Sequence, residues 1–133
     1  MYLRLKALIA KYLNSLVSIG QTVTGTVLTN KIANTTKTST NSVTVSKGTW
    51  LIVFQAALPL GTGKQFQATI TPSGEGDLVA SQPGVSITGL TRLNVTAVYK
   101  ATGSKVIYGT MYHNNGSAVT INTNYMLAVR IGL

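Results

Sequence analysis

Residues 49–58 read Thr49-Trp-Leu-Ile-Val-Phe-Gln-Ala-Ala-Leu58, and residues 125–132 read Tyr125-Met-Leu-Ala-Val-Arg-Ile-Gly132. Both stretches are apolar at odd and even positions alike for most of their length. Side chains of a strand alternate between the two faces of its sheet, so a strand apolar on both faces is covered on both. In a chain this short one face meets the core of a sandwich, and the other needs a second cover. The economical cover is another copy of the chain. Trp50, Ile52, Phe54, Tyr125, Leu127, Val129 and Ile131, with Tyr108 from a further strand, are the residues expected at that interface.

Around these ribbons the chain is rich in Thr, Val, Asn and Gly. Thr and Val are stiff at χ1 and suit pleated surfaces. Strands are predicted over Thr22–Leu28, Asn41–Ser46, Thr49–Leu58, Gln65–Thr71, Thr91–Lys100, Lys105–Tyr112, Ala118–Asn122 and Tyr125–Gly132, with a weaker segment at Val85–Ile87. Leu93, Val95, Ala97 and Tyr99 alternate with Arg92, Asn94, Thr96 and Lys100, which gives one strand a clear inner face. Short strands separated by Gly and Asn turns point to an all-β antiparallel sandwich or barrel rather than βαβ units.

Residues 1–20 differ from the head at 21–133. Tyr2, Leu5, Ile9, Tyr12, Leu16 and Ile19 follow a 3-4 spacing, the a/d stripe of an amphipathic helix, while Arg4, Lys6 and Lys11 fall off it and Gly20 stops it. Two readings stay open: the stripe packs on the chain's own sheet, or it joins copies or partners in a short bundle. The opening residues imitate a secretion signal, but Lys11 interrupts the apolar run and no small-x-small cleavage site follows, so the segment reads as mature sequence. No run of apolar residues is long enough to span a membrane.

Eleven Lys and Arg stand against two acids among 133 residues, a formal charge of +9, so most cations lack an internal partner and face solvent or an anionic surface. There is no cysteine, which excludes disulfides and thiolate chemistry. The only acids, Glu75 and Asp77, sit in the turn Ser73-Gly-Glu-Gly-Asp77, too few oxygens for a calcium cage, and His113 is the sole histidine. General acid–base catalysis needs a titratable pair in a cleft, so neither an enzyme nor a metal or cofactor protein is expected. Three N-x-S/T sequons, at Asn34, Asn94 and Asn115, are near chance in so Thr-rich a chain.

The run Val43-Thr-Val-Ser-Lys-Gly-Thr-Trp-Leu-Ile-Val-Phe54, then Gly103-Ser-Lys-Val-Ile-Tyr-Gly-Thr-Met-Tyr112, Asn115-Gly-Ser117 and the closing strand to Ile131 resembles the jelly-roll heads of the C1q/TNF-like superfold, especially those of bacteriophage tail and head fibres. The resemblance spans about residues 22–133 and implies a trimeric jelly-roll sandwich whose closing strand lines the three-fold axis. It further implies a virion location, with the N-terminal helix holding other virion proteins.

If successive strands alternate in direction, the connections 29–40, 59–64, 101–104 and 123–124 share the end distal to the helix. That end then carries Lys31, Lys37 and Lys64, bordered by Lys105, with Asn34, Gln65, Asn122 and Asn124 supplying neutral hydrogen bonds. The expectation is a fibre or receptor-binding head whose basic apex meets anionic host-surface polysaccharide. The alternative is a structural head fibre, decoration or adaptor protein. Nucleic acid is disfavoured, because aromatics interleaved with exposed cations are scarce.

Overall fold

The computed structural model describes residues 2–17, 19–75, 80–87 and 89–133, of which 14–17 by backbone alone. Asp77 and the side chain of Leu16 therefore lie outside the described residues. Helix α1 spans Tyr2–Val17, built from Leu, Ala, Lys and Arg, which are good helix formers. Gly20 takes the left-handed φ of 89° and its N–H donates to the Arg130 carbonyl at 2.7 Å, which ties the end of the linker to the head. Among the described residues the apolar stripe finds no cover: Tyr2, Leu5, Ile9 and Tyr12, with Leu3, Leu8 and Leu13, are all more than half exposed, and Ile19 is 42% exposed. The reading in which the stripe packs on the chain's own sheet is thus overturned.

The strands are β1 (Thr22–Thr24), β2 (Thr26–Val27), β3 (Lys31–Ile32), β4 (Thr38–Val45), β5 (Gly48–Pro59), β6 (Gln65–Pro72), β7 (Ala80–Val85), β8 (Leu90–Ala101), β9 (Lys105–His113), β10 (Val119–Thr120) and β11 (Thr123–Gly132). A four-stranded sheet in the order β1-β11-β5-β8 faces a five-stranded sheet in the order β2-β4-β9-β6-β7, and β10 pairs with β3 as a separate ribbon. Every pairing is antiparallel. The expected strand 22–28 breaks at Gly25, where the chain passes from one sheet to the other. A Cβ there would collide with the Asn41 side-chain oxygen and approach the Met126 Cβ to 2.8 Å.

The core lies between the sheets and consists of alternate residues of the long strands. Trp50, Ile52, Phe54 and Leu58 of β5 meet Ile70, Ile107, Met111 and Met126, and all are fully buried. Gly109 leaves room for the Phe54 ring, whose atoms lie 2.8 Å from where a Cβ would stand. This register corrects the expected interface. Trp50, Ile52 and Phe54 point inward, whereas Leu51 and Val53 share the outer face with Tyr125, Leu127, Val129 and Ile131 through the pairs Leu127–Val53 and Val129–Leu51. Tyr108 belongs to the five-stranded sheet and faces away from that surface. Alternation marks both faces of β5 as apolar but does not say which one meets the chain's own second sheet. A one-residue offset exchanges the two sets.

Strand β7 supplies a second correction. Its sequence, Ala-Ser-Gln-Pro-Gly-Val, carries turn residues and reads as part of a long connection, yet it pairs with β6 from Val85–Gln65 to Ala80–Ile70. Proline has no N–H to give a ladder, and an edge strand is where that is tolerated. The extra strand reverses the chain once more. Connection 101–104 therefore falls at the helix-proximal end, and 114–118 at the distal end.

Candidate functional site

The distal end is built by residues 28–37, 59–65, 86–87, 89 and 114–123. Lys31, Lys37, Lys64, Asn34, Gln65, Asn122 and Asn124 all lie there, as the alternation argument expects. Lys105 does not. It sits at the proximal end, where its Nζ is 3.2 Å from the Glu75 carboxylate. The Tyr99 hydroxyl donates to the same carboxylate at 2.6 Å. That hydrogen bond, aided by Lys105, holds the Glu75 carboxyl below its usual range, and it pushes the Tyr99 phenol up to about 12.

The distal loops are held by amides facing inward. Asn124 is committed to the fold: its Nδ2 donates to the Thr40 carbonyl at 2.9 Å and the Thr29 carbonyl at 3.2 Å, and its Oδ1 accepts from buried Asn41 at 3.1 Å. The Asn34 Oδ1 accepts from the Gly116 N–H at 2.8 Å, the Asn114 Oδ1 from the Gln65 N–H at 2.7 Å and the Asn115 Oδ1 from the Gly61 N–H at 2.9 Å. His113 is fully buried among them. Its Nδ1 accepts from the Asn115 N–H at 3.1 Å, so the proton of the neutral ring is on Nε2, which donates to the Ile32 carbonyl at 3.0 Å. It pins β3 and the 114–116 turn to the end of β9. The sole histidine of the chain is thus an internal link at the distal end, with both ring nitrogens engaged.

The side-chain polar groups left over are informative. Lys31 and Lys37 are exposed and Lys64 half-exposed, and no carboxylate pairs with any of them among the described residues. Beside them a groove of about 430 Å³ opens on the outer face of the five-stranded sheet, lined by Gln65, Phe66, Gln67, Pro83, Gly84, Val85 and Tyr112. Register puts Gln67 between Tyr112 and Pro83, and Gln65 next to Val85. Thr38 pairs with Met111, so Lys37 comes opposite Tyr112 just past the end of the ladder. Gly84 allows β7 to lie down over the Phe66 ring, which a Cβ would strike. Tyr112, Gln67 and Pro83 escape sequence reading, because the groove exists only once β7 is recognised as a strand.

Among the described residues no group of three His, Cys, Asp or Glu lies close enough to hold a metal ion, and no helix is long and apolar enough to cross a membrane. No protein-family model and no curated protein matches the sequence. Solved structures do match. A TNF protein (Eiger) of S. frugiperda superposes with a TM-score of 0.54 at 9% identity, covering 85% of this chain and 93% of that one. Murine APRIL gives 0.56 at 12% identity over 83% of this chain and 98% of its own. The VP2 subviral particle protein of infectious bursal disease virus gives 0.53 at 16% identity over 84% of this chain, but only 33% of its length is matched. The chain has the TNF-like jelly-roll fold. At these identities the likeness establishes the architecture alone.

Proposed function

We propose that this chain is the head of a virion fibre. Three copies close over the apolar face of the four-stranded sheet, and the distal lysines bind an anionic polysaccharide on a host surface. One observation carries the binding half of this reading: Lys31, Lys37 and Lys64 converge at one end with no acid among the described residues to neutralise them, while the proximal Lys105 has Glu75. Three parallel copies would aim three such patches in one direction, and weak contacts would gain from their shared effective concentration. Cationic steering would make adsorption salt-sensitive. The exposed helix, with Arg4, Lys6 and Lys11, would join the head to acidic partners in the particle. The test is host-cell and acidic-glycan binding by a Lys31/Lys37/Lys64 triple alanine variant. Binding should fall at least about tenfold if each lysine contributes even about 0.5 kcal/mol, and unchanged binding removes the apical claim.

A second reading, favoured by the uncovered stripe on α1, is a head-fibre, decoration or adaptor protein without host contact. Removing residues 2–17 separates the two: loss of particle incorporation from a particle that adsorbs normally selects the structural role.

A further inference from the structure

The polar side chains near the apex divide into those already engaged and those still available. Asn34, Asn114, Asn115 and Asn124 give their amide oxygens to internal N–H groups, and the Gln82 Oε1 accepts from the Asn94 N–H at 2.8 Å. Among the described residues the side chains of Gln65 and Gln67 and the hydroxyl of Tyr112 hold no such bond, and all three line the same groove. This division is not a matter of exposure alone, since Gln67 and Tyr112 are half-buried. The groove therefore presents one flat aromatic ring, two available amides and two apolar flanks, Pro83 and Val85. Lys64 precedes Gln65 in the chain, and Lys37 stands opposite Tyr112.

That combination selects a ligand class. A purely apolar ligand would leave two amides and a hydroxyl without partners, which buried polar groups avoid. A bare polyanion would use the lysines and leave the ring idle. A pyranose has what both halves need, an apolar face of C–H groups and a rim of hydroxyls that donate and accept. Amphipathic aromatic side chains suit such surfaces, apolar over the ring and wet at the edge. We infer that the groove is a pyranoside site in which one sugar ring lies on Tyr112, its hydroxyls bond to the Gln65 and Gln67 amides, and a carboxylate substituent reaches Lys37 or Lys64. The substrate class is an oligosaccharide containing hexuronic acid. This rests on the proposed glycan-binding apex and specifies where one residue of that glycan sits.

The experiment titrates the full chain by calorimetry with tetragalacturonate, with the neutral maltotetraose, and with inorganic polyphosphate as an anion lacking any sugar ring. Tetragalacturonate is expected to bind best. Tyr112→Ala should weaken it about tenfold, equivalent to about 1.4 kcal/mol, while Tyr112→Phe, which keeps the ring, stays within about threefold. Gln67→Ala should weaken both sugars and leave polyphosphate unchanged. Lys37→Ala with Lys64→Ala should weaken tetragalacturonate and polyphosphate together and spare maltotetraose. If tetragalacturonate binding survives Tyr112→Ala but is lost in the lysine variant, the groove proposal falls and the cationic apex stands. If neither variant changes it, both fall. Equal weakening of all three ligands by Tyr112→Ala would also overturn the proposal, since only a sugar can use the ring.

Discussion

The outward faces of the two sheets are made from the same kind of strand and have opposite chemistry. On the four-stranded sheet, Leu51, Val53, Leu127 and Val129 form a half-exposed block extended by Val98, Tyr125 and Ile131, the last three 58%, 41% and 46% exposed. On the five-stranded sheet the corresponding surface is Ser39, Ser42, Gln67, Tyr108, Thr110 and Tyr112, paired across strands by register and by a Ser39–Thr110 hydroxyl contact of 3.3 Å. Water satisfies the second surface and not the first. A contiguous apolar patch on a soluble protein marks an interaction site. One side of this sandwich is therefore built to be covered and the other to stay open, and the groove at Tyr112 lies on the open side.

The largest contrast is expected within β5, where neighbouring residues face opposite ways. Phe54→Ala should cost about 3–5 kcal/mol, because the ring fills a closed core against Gly109. Val53→Ala, one residue away on the outer face, should cost about 1 kcal/mol or less when copies are dilute and separate. Urea unfolding of the two variants measures this directly. Equal costs would mean that the inward and outward faces have been assigned wrongly.

Much of the architecture is legible in the sequence, and the failures share a physical cause. The alternation Leu93, Val95, Ala97 against Arg92, Asn94, Thr96 states which face of β8 is buried, because only one face is apolar. The same argument fails at β5, where both faces are apolar and no local signal chooses between Trp50-Ile52-Phe54 and Leu51-Val53. β7 is hidden for a different reason. Its pairing with β6 is a tertiary gain at a sheet edge that overrides the turn character of Pro83 and Gly84. Missing that one strand inverts the direction assigned to β8 and β9, which is why Lys105 is assigned to the wrong end while Lys31, Lys37 and Lys64 are not. Reading 118–122 as a full crossing strand, where β10 is only Val119–Thr120, reverses the count again and leaves Asn122 and Asn124 correctly placed. The commitment of Asn124 to the fold is invisible in sequence because its partners Thr29, Thr40 and Asn41 are distant in the chain.

A smaller effect separates the two ends of the sandwich. The proximal end has a carboxylate, and among the described residues the distal lysines have none. Glu75 is held below its usual pKa of 4.5, chiefly by the Tyr99 hydroxyl and then by Lys105. Its contribution to stability is therefore complete above that value and is lost as pH falls through the depressed folded value. Tyr99, raised from 10.0 to about 12, works in the opposite direction: its contribution is complete below 10.0 and fades as pH climbs toward 12. The urea midpoint of Glu75→Gln should thus lie slightly below that of the parent at neutral pH, by an amount limited by solvent screening. The two should converge in acid. A gap that widens on acidification would contradict this assignment.

Whether the apolar face is closed by further copies is decided by sedimentation equilibrium of the intact chain beside a Val53→Asp/Leu127→Asp variant, with Thr44→Asp on the exposed face of the five-stranded sheet as control. The proposed trimer predicts a particle of about three times the 14.0 kDa chain mass that falls to a single folded copy in the double variant and is unaltered in the control. A parent chain that sediments at 14.0 kDa with Leu51, Val53, Leu127 and Val129 open to water would contradict it.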